Sequence, residues 1–301
     1  MKTDGYRRIN PRDVVICTVH GNTPHYSAAA ARKHPWPMLQ MAQIRRHTAT
    51  GYTVFVYGNR LGEEHEDYFR QCKDVVYFSS SEVPNGTFVD DVWPIRNWLT
   101  RKAVKTFKWI VHLDSDAFPI AGDWLPRYAS LISARCPVVA VERTYPEGDG
   151  RHRSADRCFL MFTRAGFRAH AFDFTKMGVS DAGAAISLHL EEQGLTWHPL
   201  SRSNRVNFHK IAAGIYDDRV YHHGAGSRTP IFEGWSSTNV ATRQDRLMQP
   251  ILLDWLFERP DSFLNQLLGQ EPPFDINAAF LEAERLIADL PGVPSQPAKA
   301  D

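Results

Sequence analysis

The chain has 301 residues, with 35 Lys and Arg against 34 Asp and Glu, a net charge of +1. That balance excludes a protein that coats nucleic acid or holds an acidic membrane by bulk charge. Hydrophobic residues at 43% and aromatics at 12% supply a sizeable core and exclude a disordered chain. From the N-terminus, DVVICTV (13–19) is a short β-rich run between polar residues and predicts a buried strand. Residues 24–50 suit helix around a break at Pro35–Pro37. TVFVYGN (53–59) and DVVYF (74–78) predict two more strands. In residues 89–107, Val92, Ile95, Leu99, Ala103 and Phe107 recur at helical spacing, and Pro94 fits the first turn of that helix. WIVHLDSDAFPI (109–120) reads as a strand running into an acidic turn, and PVVAVE (137–142) as a further strand.

Residues 143–157, RTYPEGDGRHRSADR, are polar and Gly-containing and predict a long loop that overhangs the sheet edge as a lid. Residues 245–290 read as helical, with Asp275 as an N-cap, and the tail from Pro291 is expected to be disordered. Strands alternating with helices mean an α/β fold with a mostly parallel central sheet. In such sheets ligands bind at the carboxyl ends of the strands. The expected division is an α/β domain over 1–240, a helical C-terminal extension over 241–290 and a tail over 291–301.

Asp114-Ser115-Asp116 is the central chemical signal. An Asp-x-Asp arises about once by chance in a chain this long, so its context carries the weight. It follows a buried strand, where two carboxylates stay ionised only beside a cation or hydrogen-bond donors. Carboxylate oxygens suit Mg²⁺ or Mn²⁺, which bridge to substrate phosphates. The bland alternative is a solvated turn with Asp116 capping a helix. Further on, Tyr221-His222-His223-Gly224-Ala225-Gly226-Ser227-Arg228 sets an imidazole pair before a Gly-rich turn. A histidine can complete a Mn²⁺ site, and Arg228 suits a diphosphate; the alternative is a surface turn with two solvated histidines.

VVICTVHGN, TVFVYGN, RNWLTRKAVKTFKWIVHLDSDAF and VYHHGAGSR, in that order over roughly residues 13–230, resemble the GT-A fold glycosyltransferases. The resemblance implies a single Rossmann-like domain and an Asp-x-Asp that binds a divalent cation and the diphosphate of a nucleotide sugar. It makes Asp116 the chief metal ligand and Asp114 its partner, also toward the donor. It makes His223, or else His222, a further ligand. His223–Gly226 matches the His-x-x-Gly of some retaining members, although Arg228 stands one position before the Lys of that pattern. Arg96 takes the place of a donor-contacting arginine; otherwise it is a solvated helix charge. Asp181, ahead of a helix-to-Gly pattern ending at Gly194, takes the place of the base of inverting members. Those members show Glu-Asp where this chain has Ser180-Asp181, so Asp181 reads equally as an N-cap.

Thr18, His20 and Tyr57 lie where a nucleoside would rest on the first two strand ends, and Trp93, Trp98 and Trp124 where a sugar would stack; the alternative for each is packing in the core. The expected activity is metal-dependent transfer of a hexosyl group from a nucleotide diphosphate donor, UDP-sugar favoured, to an acceptor hydroxyl or amine. Acceptor contacts are expected from 143–157 and 197–205. A sugar nucleotidyltransferase is the alternative, but it should show a Gly-rich phosphate loop after the first strand, where this chain has TVHGNTPHY. A non-catalytic nucleotide-sugar-binding module is the other. Cys17, Cys72, Cys136 and Cys158 form no Cys-x-x-Cys and suit a reducing compartment. With no apolar leader and no run of 18 apolar residues, a cytoplasmic chain without a transmembrane segment is expected.

Overall fold

The structure is a computed structural model that describes residues 9–21, 36–49, 51–59, 61–79, 92–147, 150–174, 182–208, 213–224, 252–275, 278 and 281. Strands β1 (Val14–Gly21), β2 (Thr53–Asn59), β3 (Val75–Ser79) and β4 (Trp109–Asp114) are the runs expected from sequence. They join β6 (Val138–Glu147), β7 (Gly150–Thr163) and β8 (His198–Leu200) in a seven-stranded sheet of order β3-β2-β1-β4-β7-β6-β8. β3, β2, β1 and β4 run parallel, as do β6 and β8, while β7 is antiparallel to both of its neighbours. The fold is therefore α/β with a mostly parallel central sheet.

Both faces of the sheet are covered, which is why its inner strands are continuous apolar runs. Val14, Ile16, Val54, Val56, Val111 and Leu113 form one layer with α1 (Trp36–His47), α2 (Glu63–Gln71) and α4 (Trp124–Leu131). Val15, Cys17, Phe55, Tyr57 and Ile110 form the other with α3 (Val92–Ala103) and α6 (Ala182–Glu192), while α5 (Arg164–His170) contributes Phe167. In α3 the spaced residues Ile95, Leu99 and Ala103 are buried as their period requires. Gly194 ends the segment after α6 at φ 68°, a conformation open to glycine.

A small sheet, β5 (Ala117–Pro119), β10 (Val220–His222) and β9 (Gly214–Tyr216), stands beside the large one. It packs on helical residues 252–258 and on α7 (Pro260–Leu267) through Phe118, Ile215, Tyr221, Leu252, Trp255, Leu256 and Phe263. Asp275 accepts from the Ala278 N–H at 3.0 Å, as an N-cap does. The expected domain boundary at 240 and the tail from 291 lie outside the described residues. Among the described residues no helix is long and apolar enough to cross a membrane.

After β4 the chain turns at Ser115-Asp116, as expected, and Ala117–Pro119 beyond the turn form β5, which leaves for the small sheet. One expectation is corrected. The polar stretch 143–157 is not a loop: outside residues 148–149, which are not described, it lies in the outer half of the β6–β7 hairpin. Its pairing continues to Glu147 and Gly150, past the end of β4, whose last partners are Leu113 and Phe159. The hairpin does overhang the carboxyl edge, but as paired backbone. Charged residues that pair across the strands, Arg153 with Glu142 and Arg143 with Asp156, hide the alternation that marks a strand.

His112 is central in β4, 1% exposed, and shares a 2.8 Å hydrogen bond with Thr100 Oγ1. Burial first, and then the Arg96 charge, push its pKa well below 6.5. The folded chain keeps it neutral while the unfolded chain protonates it, so stability falls as pH drops below about 6.5. In urea titrations between pH 6.5 and 5, wild type is expected to lose up to about 1.4 kcal/mol per pH unit more than His112→Gln.

Candidate metal centre

The acidic turn stands at the carboxyl end of β4, the central parallel strand next to β1. β10 is held against it by backbone: His222 pairs with Ala117, and the His223 N–H donates to the Asp116 carbonyl at 3.0 Å. Successive side chains of an extended segment point to opposite sides. Tyr221 and His223 therefore enter the apolar cluster, where they share a 2.7 Å hydrogen bond and the His223 ring lies 5.5 Å from Trp36. His222 faces the other way, toward the carboxylates.

Asp114, Asp116 and His222 each offer a ligand atom, and these atoms all lie within 4.8 Å of one another. His222 Nε2 is 3.5 Å from Asp116 Oδ1 and 4.0 Å from Asp114 Oδ2. Two hard oxygens and an imidazole nitrogen within that span fit a Mn²⁺ or Mg²⁺ ion, the nitrogen favouring Mn²⁺. Burial alone would lower the His222 pKa. Asp116, through charge and hydrogen bond, with Asp156 and Asp114 behind it, outweighs burial and raises it to about 9. A cation bound here would compete with a proton for this imidazole.

Asp114 has cationic partners of its own. Arg96, 1% exposed, donates from Nη2 to Asp114 Oδ1, and Arg157 Nε lies 3.6 Å from Oδ2. The β6–β7 register shifts between Ala140 and Val141, so residues 157–159 bulge from the ladder. Backbone groups in that bulge find side-chain partners. The Arg157 carbonyl accepts from Arg96 Nη1 at 3.0 Å, and the Cys158 N–H donates to Asp156 Oδ1 at 2.9 Å.

The remaining expected site residues are placed differently. Thr18 and His20 are buried and bonded to Gln40, at 3.2 and 2.8 Å. Tyr57 is buried with its ring 6.2 Å from Trp98. None of the three offers an open face to a nucleoside. Arg96 is engaged with Asp114 from inside the protein rather than solvated on its helix. Trp124 is core, packed on Tyr128 and Phe159. His223 is interior, and the imidazole beside the carboxylates is that of His222. Asp181 and Arg228 lie outside the described residues, as does the side chain of Trp93. Sequence reasoning missed Gln40, Asp156 and Arg157. Nothing marks a glutamine in LQMAQIRRH, whereas Ala-Asp-Arg-Cys ahead of the apolar run FLMF carried a signal: charges at the start of a buried strand.

The fold and site together define an α/β protein with a cation-competent carboxylate–imidazole group at the carboxyl edge of its sheet. No family model and no curated protein matches the chain. Its structural neighbours are nucleotide-sugar glycosyltransferases and nucleotidyltransferases. One is a mannosyltransferase from Pyrobaculum calidifontis in complex with GDP-mannose and Mn²⁺. It is 13% identical with a TM-score of 0.44 over 96% of this chain and 77% of that one. Another is a CMP-2-keto-3-deoxy-manno-octonic acid synthetase complexed with CTP, 10% identical with a TM-score of 0.41 over 63% and 89%. A third is an apo glycosyltransferase of Streptococcus pneumoniae, 11% identical with a TM-score of 0.39 over 62% and 45%. At these identities and scores, the chemistry has to be read from the site itself.

The two histidines are expected to separate in Mn²⁺ affinity. His222→Ala should weaken Mn²⁺ binding by roughly 10-fold or more, since it removes a ligand, and should also lower Tm, since it removes the imidazole that balances Asp116. His223→Ala should lower Tm while largely sparing Mn²⁺ affinity, since it opens a cavity beside Trp36 and strands the Tyr221 hydroxyl. Mn²⁺ titration and thermal melts of both variants check this.

Proposed function

We propose that the chain is a metal-dependent glycosyltransferase that moves a hexosyl group from a nucleotide diphosphate sugar to an acceptor hydroxyl or amine. The observation that carries this reading is the convergence of Asp114, Asp116 and His222 at the carboxyl edge of the parallel sheet. There a bound Mn²⁺ or Mg²⁺ would neutralise the diphosphate as it leaves. Asp116 is the principal ligand, fixed by its own backbone to β10. Asp114 is held in place by the Arg96 guanidinium and serves as the second. Arg157, less buried than Arg96, places a guanidinium beside the same carboxylate, where it complements negative charge on the leaving diphosphate. Arg228 is retained as a second diphosphate contact and Asp181 as the base of an inverting reaction, both on the resemblance alone.

The β6–β7 hairpin extends beyond the carboxyl edge and forms a wall on the acceptor side, with Arg143 and Asp156 paired at its root. Sugar transfer needs such a wall because water competes with the acceptor for the activated donor. A cytoplasmic location accompanies this reading, on the cysteine usage. The neighbours with bound nucleotides carry GDP-mannose and CTP, so uridine is one donor base among several to test.

A panel of UDP-, GDP-, dTDP- and CMP-sugars, each with and without Mn²⁺, is expected to give a Mn²⁺-dependent rise in Tm with one donor, since a ligand of the native state stabilises it by mass action. Turnover of that donor should release nucleoside diphosphate, and Asp116→Ala should abolish the Tm rise and cut turnover by roughly 100-fold or more. Pyrophosphate released from a nucleoside triphosphate and a sugar phosphate would instead identify nucleotidyl transfer. Unchanged Mn²⁺-dependent binding in the variant would remove Asp116 from the site.

A further inference from the structure

Gln40 lies in α1, 0% exposed, and its carboxamide is fully engaged. Oε1 accepts from Thr18 Oγ1 at 3.2 Å and from His20 Nε2 at 2.8 Å. Nε2 donates to the Asp114 carbonyl and to the Ala117 carbonyl, both at 2.7 Å. An amide side chain has two N–H donors and two acceptor lone pairs, and here all four are used. The two carbonyls bracket the Ser115-Asp116 turn, so one side chain clamps the turn at both ends. The acceptor half anchors the clamp to β1.

The same helix face reaches the other half of the centre. Trp36 stands one turn before Gln40 and packs on His223, whose N–H holds the Asp116 carbonyl. The acidic turn and β10 are thus braced by a single element at residues four apart. No ligand atom belongs to that element.

We infer that Gln40 is a positioning residue that sets the cation affinity of Asp114, Asp116 and His222 by fixing the turn between the two carboxylates. This rests on the metal-dependent reading of the site. The physical reason is that a small divalent ion tolerates little error in ligand placement, while a free Asp-Ser-Asp turn has several backbone conformations. Groups that orient metal ligands without touching the ion typically control about 10- to 100-fold in affinity. A purely structural role would lower stability and leave the ion's affinity in the folded protein unchanged.

The test uses the full chain and Mn²⁺ alone, with free Mn²⁺ followed by electron paramagnetic resonance and folding by circular dichroism. Gln40→Met keeps the shape and removes all four hydrogen bonds. It is expected to weaken Mn²⁺ binding at least about 10-fold. Thr48→Val is the control: it removes a buried bond, from Trp124 Nε1 to Thr48 Oγ1 at 3.2 Å, on a residue outside the centre. It is expected to lower Tm and leave Mn²⁺ affinity as in wild type. Should Gln40→Met fail to fold, Gln40→Glu keeps the acceptor half and loses the N–H donors to the turn. Its added negative charge would by itself tighten a cation, so weaker binding there reports lost positioning. Wild-type affinity in Gln40→Met, an equal loss in Thr48→Val, or tighter binding in Gln40→Glu overturns the inference. If Gln40→Met binds Mn²⁺ normally and donor turnover in wild type still requires the ion, only the role of Gln40 falls. If wild type binds no Mn²⁺ with or without nucleotide, the metal reading falls with it.

Discussion

Two carboxylates close together at the end of a buried strand have to be neutralised, and the local architecture follows from how each is balanced. Arg96 reaches from α3 under the sheet edge to Asp114 and is itself almost fully buried. A charge that deep is tolerated only when paired and hydrogen-bonded. The bulge in β7 supplies its second acceptor, the Arg157 carbonyl, and sets the Arg157 side chain near the other oxygen of Asp114. Asp116 is balanced from the opposite direction by His222, which arrives on a strand of the small sheet. Replacing a buried ion pair by apolar groups is often neutral for stability. What the Arg96–Asp114 pair provides is a carboxylate in a fixed orientation.

The break after β4 is what makes the arrangement possible. Had 109–120 continued as one strand, Asp116 would have stayed in the plane of the large sheet with only β1 and β7 for neighbours. By leaving at Ser115, the chain brings β5 to β10, and the register of that pair decides which histidine faces the carboxylates. A shift of one residue would exchange His222 for His223 and turn Tyr221 out of the apolar cluster.

The parallel half of the sheet was legible because strands buried on both faces are unbroken apolar runs, as in VVICTV and WIVHL. So was α3, from the spacing of Ile95, Leu99 and Ala103. The acidic turn was legible from its position after a buried strand. The choice of imidazole was not, because it depends on strand register, which a His-His pair leaves open. The β6–β7 hairpin was hidden by charged residues that pair across it, and α2 by having only His65 and Phe69 as buried residues. The β9–β10 turn was hidden too, since it places Asp217 and Asp218 at φ 49° and 54° where Asn-Gly is the usual signal. Thr18 and His20 stand near the site in sequence logic and in space, yet they serve Gln40. A hydrogen-bonding side chain at a strand end looks the same in sequence whether it meets a ligand or another side chain.

Completion of the centre also has a place in the order of folding. Asp116 and His222 lie on segments far apart in the chain, and β10 docks on β5 only after the loop between them closes. Long-range pairings of this kind come at a high cost in loop entropy and tend to form late. The large sheet can assemble its parallel half from contacts among residues 14–114, leaving the two carboxylates without their imidazole until the small sheet arrives. An ion held by all three groups would therefore bind only the finished molecule, and a cation in the medium would add stability to the completed fold without favouring either half.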